Sequence, residues 1–165
     1  MQVFLVSQID ERRAYLLLQR VAMPQLALPA FWQGVTGALE SGESFEEAAV
    51  REVREETSFL IEQVFSAGYT HYFPIRPEWR SSYGPDPVQV EERVFYAFVP
   101  GGSLPRLSAE HQAFKWCLAE EAISLLEFGQ NRECLSAVEE TLSSATVGHS
   151  PSIERQVWGA ESKQA

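Results

Sequence analysis

The stretch from Gly37 to Phe59, GALESGESFEEAAVREVREETSF, limits what this chain can fold into more than any other. Ser44 followed by Glu47 has the form of a capping box, in which each residue's side chain satisfies a free backbone N–H of the other, so a helix starts there. Phe45, Ala49 and Val53 recur at every fourth position and give that helix one apolar stripe to bury. Glu52, Glu55 and Glu56 stand at i, i+3 and i+4 and share a second face. Like charges at that separation repel, and nothing in helix propensity asks for them. Such a cluster is tolerable on a fully solvated face, or when a cation sits among the carboxylates.

The spacing of Gly37, Glu43 and the run Arg51-Glu52-Val53-Arg54-Glu55-Glu56 resembles the signature of the Nudix hydrolases, Gly-x5-Glu-x7-Arg-Glu-apolar-x-Glu-Glu-x-Gly-apolar. Ser58 stands where that family has its second glycine, and Phe59 supplies the closing apolar residue. An ordinary acidic surface helix is the competing reading. The resemblance implies Mg2+ or Mn2+ as cofactor, with Glu52 and Glu56 as metal ligands, Glu55 beside them, and a backbone carbonyl of Thr36 or Gly37 joining the shell. Hard divalent cations choose oxygen ligands and leave positions for water and phosphate, which suits several carboxylates on one rigid turn. By the same resemblance either Glu52 or Glu55 takes a proton from the attacking water, and Arg51 orients the carboxylates with its planar fork. An i, i+4 salt bridge between Arg51 and Glu55 is the plainer role for that arginine. Gly37 and Gly42 let the preceding loop pass close to the site and adopt positive φ. Ser58 falls where helices end in the left-handed conformation, at a steric cost to any residue with a Cβ.

Composition bounds the rest. The 165 residues suit one domain with a proper core, and hydrophobic and aromatic contents of 45% and 12% are those of a globular chain. A formal charge of −10 argues against nucleic acid as a partner, since an acidic surface repels a phosphate backbone, while a small phosphorylated substrate masked by metal remains compatible. Cys117 and Cys134 are too far apart for a Cys-x-x-Cys site and read as buried or free thiols of a reducing compartment. The start MQVFLVSQID has neither a basic region nor a long apolar run, so a cytoplasmic protein without a membrane span is expected, monomeric or homodimeric.

Along the chain, Gln2 to Gln8 and Ala14 to Gln19 read as neighbouring strands, Val21 to Ala30 as loop, Phe31 to Thr36 as a short strand leading to Gly37. Trp32 belongs with the core, although a ring there could stack on a flat substrate. Arg20 is either a solvated strand end or, by resemblance to Nudix proteins with Leu-Gln-Arg here, a contact to substrate phosphate. Leu60 to Phe73 has strand character, Pro74 to Pro87 is an irregular loop read as a lid, and Glu91 to Val99 is a further strand. Glu110-His111-Gln112-Ala113-Phe114-Lys115-Trp116 resembles a pattern preceding the last strand in Nudix enzymes acting on nucleoside or pterin triphosphates. That makes Glu110 an additional metal ligand or base, against the plainer reading of a loop carboxylate, and leaves His111 a structural role satisfying a buried backbone group. His71 alone supports no role. Ala119 to Phe128 and Asn131 to Leu142 read as helices burying Leu125, Phe128, Leu135 and Val138. Asn131-Arg132 opens the second, with Asn131 a substrate contact by resemblance or a helix N-cap by chemistry.

The order of elements gives a mixed sheet with the Glu52 helix on one side and the C-terminal helices on the other. The resemblance implies one Nudix-type α/β/α sandwich over residues 1–142, with 143–165 a loosely docked tail. It further implies metal-dependent hydrolysis of a diphosphate linkage in a nucleoside diphosphate joined to a group X. Dihydroneopterin triphosphate or a (deoxy)nucleoside triphosphate is favoured. ADP-ribose or a dinucleoside polyphosphate, or nucleotide binding without turnover, are the alternatives.

Overall fold

The computed structural model describes residues 1–75 and 89–147. Most of the Pro74–Pro87 loop, and the tail residues Ile153, Val157 and Trp158, lie outside the described residues. Strands β1 (Gln2–Ile9) and β2 (Arg12–Arg20) form a hairpin that pairs only at its turn end, Val6 with Tyr15 through Ile9 with Arg12. Beyond Val6 the two strands diverge, and the segment expected to be one short strand fills the fork as two pieces. β3 (Phe31–Gln33) runs along β2, and β4 (Val35–Thr36) along β1. Gly34 lies between them because a Cβ there would come within 2.7 Å of the Val3 carbonyl oxygen and 3.3 Å of the Phe4 ring.

Two further strands, β5 (Phe65–Pro74) and β6 (Gln89–Phe98), are antiparallel to each other, and β6 pairs in parallel with β1. β7 (His111–Leu118) flanks β2 along nearly its whole length. The sheet is therefore mixed. The chain from Leu60 to Val64, expected to be strand, is not; Leu60 is 84% exposed and the pairing begins at Phe65.

Alternation along the central strands supplies two cores. Met1, Val3, Leu5, Leu16, Leu18, Phe95 and Ala97 face helix α1 (Phe45–Thr57). Phe4, Val6, Tyr15, Leu17 and Val94 face the other way, onto α2 (Ala119–Leu125) and α3 (Gly129–Val147). Strands covered on both faces read as continuous apolar runs, which is why Leu16-Leu17-Leu18 is wholly buried, each side chain contributing about 1.5–3 kcal/mol of transfer free energy. The result is a three-layer α/β/α sandwich.

The C-terminal elements differ from expectation in detail. Phe128 is 40% exposed rather than buried and touches Phe31 edge-on at 5.0 Å, while Leu126 fills the core instead. α3 starts at Gly129, so Asn131 lies inside its first turn and is not its N-cap. The helix also continues through Val147, past the expected end at Leu142. Arg13 binds Glu139 at 3.4 Å and the Ser143 hydroxyl at 3.0 Å, and Tyr15 donates to Glu139, so β2 fastens this last stretch from outside the local sequence. No helix among the described residues is long and apolar enough to cross a membrane.

Candidate active site

The start of α1 is set locally. Ser44 Oγ accepts the Glu47 N–H at 3.2 Å, and the Glu47 carboxylate accepts the Ser44 N–H at 2.8 Å, closing the capping box. Burial of Ala48, Ala49 and Val53 against the sheet then fixes the rotation of the helix. That rotation turns Glu52 and Glu56 inward, with side chains 14% and 5% exposed, and leaves Glu55 57% exposed. At the far end Ser58 adopts φ +62°, the left-handed conformation that its place in the motif demands, and its N–H reaches the Arg54 carbonyl at 2.9 Å.

Arg51 gathers the motif. Its Nε and one terminal nitrogen hold both oxygens of Glu43 at 2.9 Å, and that nitrogen also reaches the Ala38 carbonyl at 2.9 Å. The other terminal nitrogen donates to Glu52 at 2.8 Å and to Glu55 at 3.3 Å. The guanidinium holds the Glu43 carboxyl down at about 2, helped by the Glu40 N–H. The orienting role and the i, i+4 salt bridge are thus both present in one side chain. Gly37 serves Glu52 by having no side chain: a Cβ there would lie 2.1 Å from the Glu52 carboxyl carbon. Its backbone is not in the positive-φ region expected for it, whereas Gly42 is, at +85°. The Gly37 carbonyl accepts the Met1 amino nitrogen at 2.8 Å, and the Thr36 hydroxyl accepts Gln33 Nε2 at 3.1 Å.

Opposite α1, the junction of β2 and β7 brings up Arg20 and Glu110, which pair at 2.9 Å. Burial pushes the Glu56 carboxyl up to about 8, the charges of Glu52 and Glu110 add to this, and Arg20 and the Thr36 backbone oppose it. Glu52 is raised as well, again first by burial and against the pull of Arg51. Glu56 Oε2 has no hydrogen-bond partner among the described residues, and His111 Nε2 stands 3.7 Å from it. Expected to satisfy a buried backbone group, His111 has neither ring nitrogen hydrogen-bonded. Burial, with Arg20 adding to it, pushes the imidazole down to about 4, so it is neutral at physiological pH. His111 also begins β7 itself, so the Glu110 motif does not precede the strand but opens it.

A buried carboxylate oxygen without a donor, set among Glu52 and Glu110, is the charge pattern that a divalent cation completes, and the donor set is all oxygen, as Mg2+ or Mn2+ prefers. The residues fit such an ion. They do not already converge on one point, because Arg51 draws Glu52 and Glu55 to its side while Glu56 turns towards His111.

Asn131 lies on α3, in the layer that covers the opposite face of the sheet from α1. Arg132 is spent on structure, donating to the Leu126 and Glu127 carbonyls at 2.6 and 3.0 Å and so holding the α2–α3 turn closed. That turn carries Glu127 to the backbone N–H of Trp32 at 3.1 Å. His71, assigned no role from sequence, lies 2.7 Å from Glu92 and 3.7 Å from Cys134, residues too distant in sequence for any local pattern to join them.

This fold and this site define a Nudix hydrolase. The sequence matches the NUDIX domain family over residues 1–137, and the chain belongs to that family. Dihydroneopterin triphosphate diphosphatase from Haemophilus influenzae is 31% identical over 137 residues, covering 81% of this chain and 83% of that protein. The structure of E. coli dihydroneopterin triphosphate pyrophosphohydrolase has a TM-score of 0.65 to this one at 29% identity, over 82% of this chain and 91% of that one. An octanoyltransferase of Myxococcus xanthus is 40% identical over 103 residues, 62% of this chain, and the match spans only 27% of that protein.

Proposed function

We propose that this enzyme hydrolyses a phosphoanhydride in a nucleoside-diphosphate-type or pterin triphosphate substrate, dihydroneopterin triphosphate being the preferred candidate and a (deoxy)nucleoside triphosphate the next. The observation that carries the reading is the orphaned Glu56 oxygen held between the charges of Glu52 and Glu110. Glu52, Glu56 and Glu110 would hold Mg2+ or Mn2+, which when bound supplies charge neutralisation on the diphosphate oxygens and a more acidic attacking water. Glu55 would take the proton in this reading, which is supported by its being the exposed member of the set, able to pass a proton to solvent, with Arg51 at 3.3 Å from its carboxylate. Arg51 likewise fixes Glu52, and Gly37 leaves the space Glu52 needs. Arg20 reaches the same site from β2 and offers its guanidinium to a substrate phosphate once Glu110 turns to the cation. The substrate preference is supported by similarity to proteins named for dihydroneopterin triphosphate, matched along most of both lengths. Asn131, on the layer across the sheet from α1, is given no substrate contact in this reading.

The test is release of pyrophosphate or phosphate from a panel holding dihydroneopterin triphosphate, nucleoside triphosphates, ADP-ribose and dinucleoside polyphosphates, with Mg2+, with Mn2+ and with EDTA. The proposal expects turnover only with metal and the highest kcat/KM for dihydroneopterin triphosphate. Turnover undiminished in EDTA would remove the metal role, and preference for another panel member would remove the substrate.

A further inference from the structure

Among the described residues, the trio of His, Cys, Asp or Glu ligand atoms near enough to share one ion is not on α1. It is His71 of β5, Glu92 of β6 and Cys134 of α3, whose ligand atoms all lie within 4.8 Å of one another. From this cluster we propose a second metal site, for a zinc-class transition ion, on the face of the sheet away from the Glu52–Glu56 carboxylates.

The geometry is close to what such an ion needs. Zinc takes imidazole nitrogen at about 2.0–2.1 Å and thiolate sulfur at about 2.3 Å, so across a tetrahedral centre nitrogen and sulfur stand about 3.6 Å apart. His71 Nε2 and Cys134 Sγ are 3.7 Å apart. The Glu92 oxygen, hydrogen-bonded to the same nitrogen at 2.7 Å, has to withdraw by about half an ångström to admit an ion bonded to both. The supports are stiff. His71 and Glu92 sit opposite each other in the β5–β6 register, and the His71 ring lies between Tyr69 and Phe73, with centroids at 5.8 and 5.9 Å. Cys134 is fully buried in the core that joins α3 to the sheet.

Charge and donor chemistry agree. One thiolate and one carboxylate neutralise a divalent ion, so the loaded site carries no net charge and burying it is not opposed by a large desolvation cost. Binding releases the thiol proton, and the Nε2 proton that Glu92 accepts in the metal-free protein moves off the ligating nitrogen, leaving the neutral ring with its proton on the buried Nδ1. Sulfur and imidazole discriminate against Mg2+, which the oxygen-only set at α1 favours. Three protein ligands leave a fourth position open to water. The site would clip α3 to β5 and β6.

The test uses the full chain, stripped with EDTA and titrated with Co2+ as a spectroscopic probe and then with Zn2+ in competition. One equivalent of Co2+ should give a thiolate charge-transfer band and tetrahedral ligand-field bands, erased by one equivalent of Zn2+ and untouched by excess Mg2+. Cys134→Ser should abolish the charge-transfer band and His71→Ala should weaken Co2+ binding at least about ten-fold, both with unchanged far-UV circular dichroism. Cys117→Ser and Glu56→Gln should leave the band intact. Because Glu56→Gln disables the α1 site, failure here and failure of the proposed hydrolysis are read separately. The proposal is overturned if no charge-transfer band appears, if the band survives Cys134→Ser, or if it disappears with Glu56→Gln.

Discussion

Replacing Glu56 by Gln should make the metal-free protein more stable at alkaline pH while strongly reducing its turnover. The folded Glu56 carboxyl titrates at about 8 against an ordinary 4.5, pushed up first by burial and then by Glu52 and Glu110. For an acid whose folded pKa is raised, the stabilising contribution is complete below about 4.5 and is lost as the pH rises to about 8, because the unfolded chain gives up the proton first. At about 1.4 kcal/mol per pH unit, the interval from 4.5 to about 8 corresponds to about 5 kcal/mol of stability lost. His111 works in the opposite sense. Its folded pKa is lowered from 6.5 to about 4, so it withdraws stability as the pH falls below 6.5 and is silent above it. From 6.5 to about 8 the loss from Glu56 is opposed by the Met1 amino group, whose pKa burial lowers from 8.0 and whose contribution therefore grows as the pH rises. That contribution is common to the parent and the Glu56→Gln variant, so the difference between them reports Glu56.

The assay is urea denaturation across that interval in EDTA, for the parent and for Glu56→Gln. As the pH rises the parent's midpoint should fall relative to the variant's. Mg2+ should restore the parent's midpoint, since a cation does for the ionised carboxylate what the proton did, and should do little for the variant. Turnover by the variant should drop by about 100-fold or more, because an amide gives the ion a neutral and weaker ligand. Equal pH dependence in the two proteins would refute the account of Glu56 as a charge held against its neighbours.

Other substitutions follow from the same geometry. Ser58→Gly relieves a left-handed residue with a Cβ and sacrifices only a 3.3 Å hydroxyl contact to the Arg106 carbonyl, so it should stabilise by about 1 kcal/mol and raise Tm by about 3 °C in calorimetry. Gly37→Ala forces the Glu52 carboxylate out of its place, and steady-state kinetics should show kcat reduced by about ten-fold or more with the circular dichroism spectrum intact. Arg51→Lys keeps the charge and loses the fork that grips both oxygens of Glu43, so kcat should fall and the Glu43 carboxyl, followed by NMR, should titrate well above about 2. Arg20→Ala should raise KM for triphosphate substrates more than it lowers kcat, the signature of lost ground-state binding.

What the sequence disclosed and what it hid divides along one physical line, the range of the interactions concerned. The capping box, the buried stripe of α1 and the left-handed turn at Ser58 are decided within a few residues, and each was legible in the order of the side chains. The two-faced strands announced themselves too, because Leu16-Leu17-Leu18 has no polar alternate and so must be covered on both sides. The fork in the sheet was hidden. It depends on β1 and β2 diverging, and its only local mark is Gly34, one glycine in a run that otherwise reads as a single strand. Long-range contacts hid the rest: Arg13 and Tyr15 carry α3 beyond Leu142 through Glu139 and Ser143, and Arg132 holds the turn that leaves Phe128 at the surface. At the site itself, the motif named Glu52 and Glu56 but could not say how their charge is confined. That confinement comes from β7, which places Glu110 and a neutral His111 against α1. The acidity that makes the cluster responsive to a cation is therefore a property of the helix and the strand together.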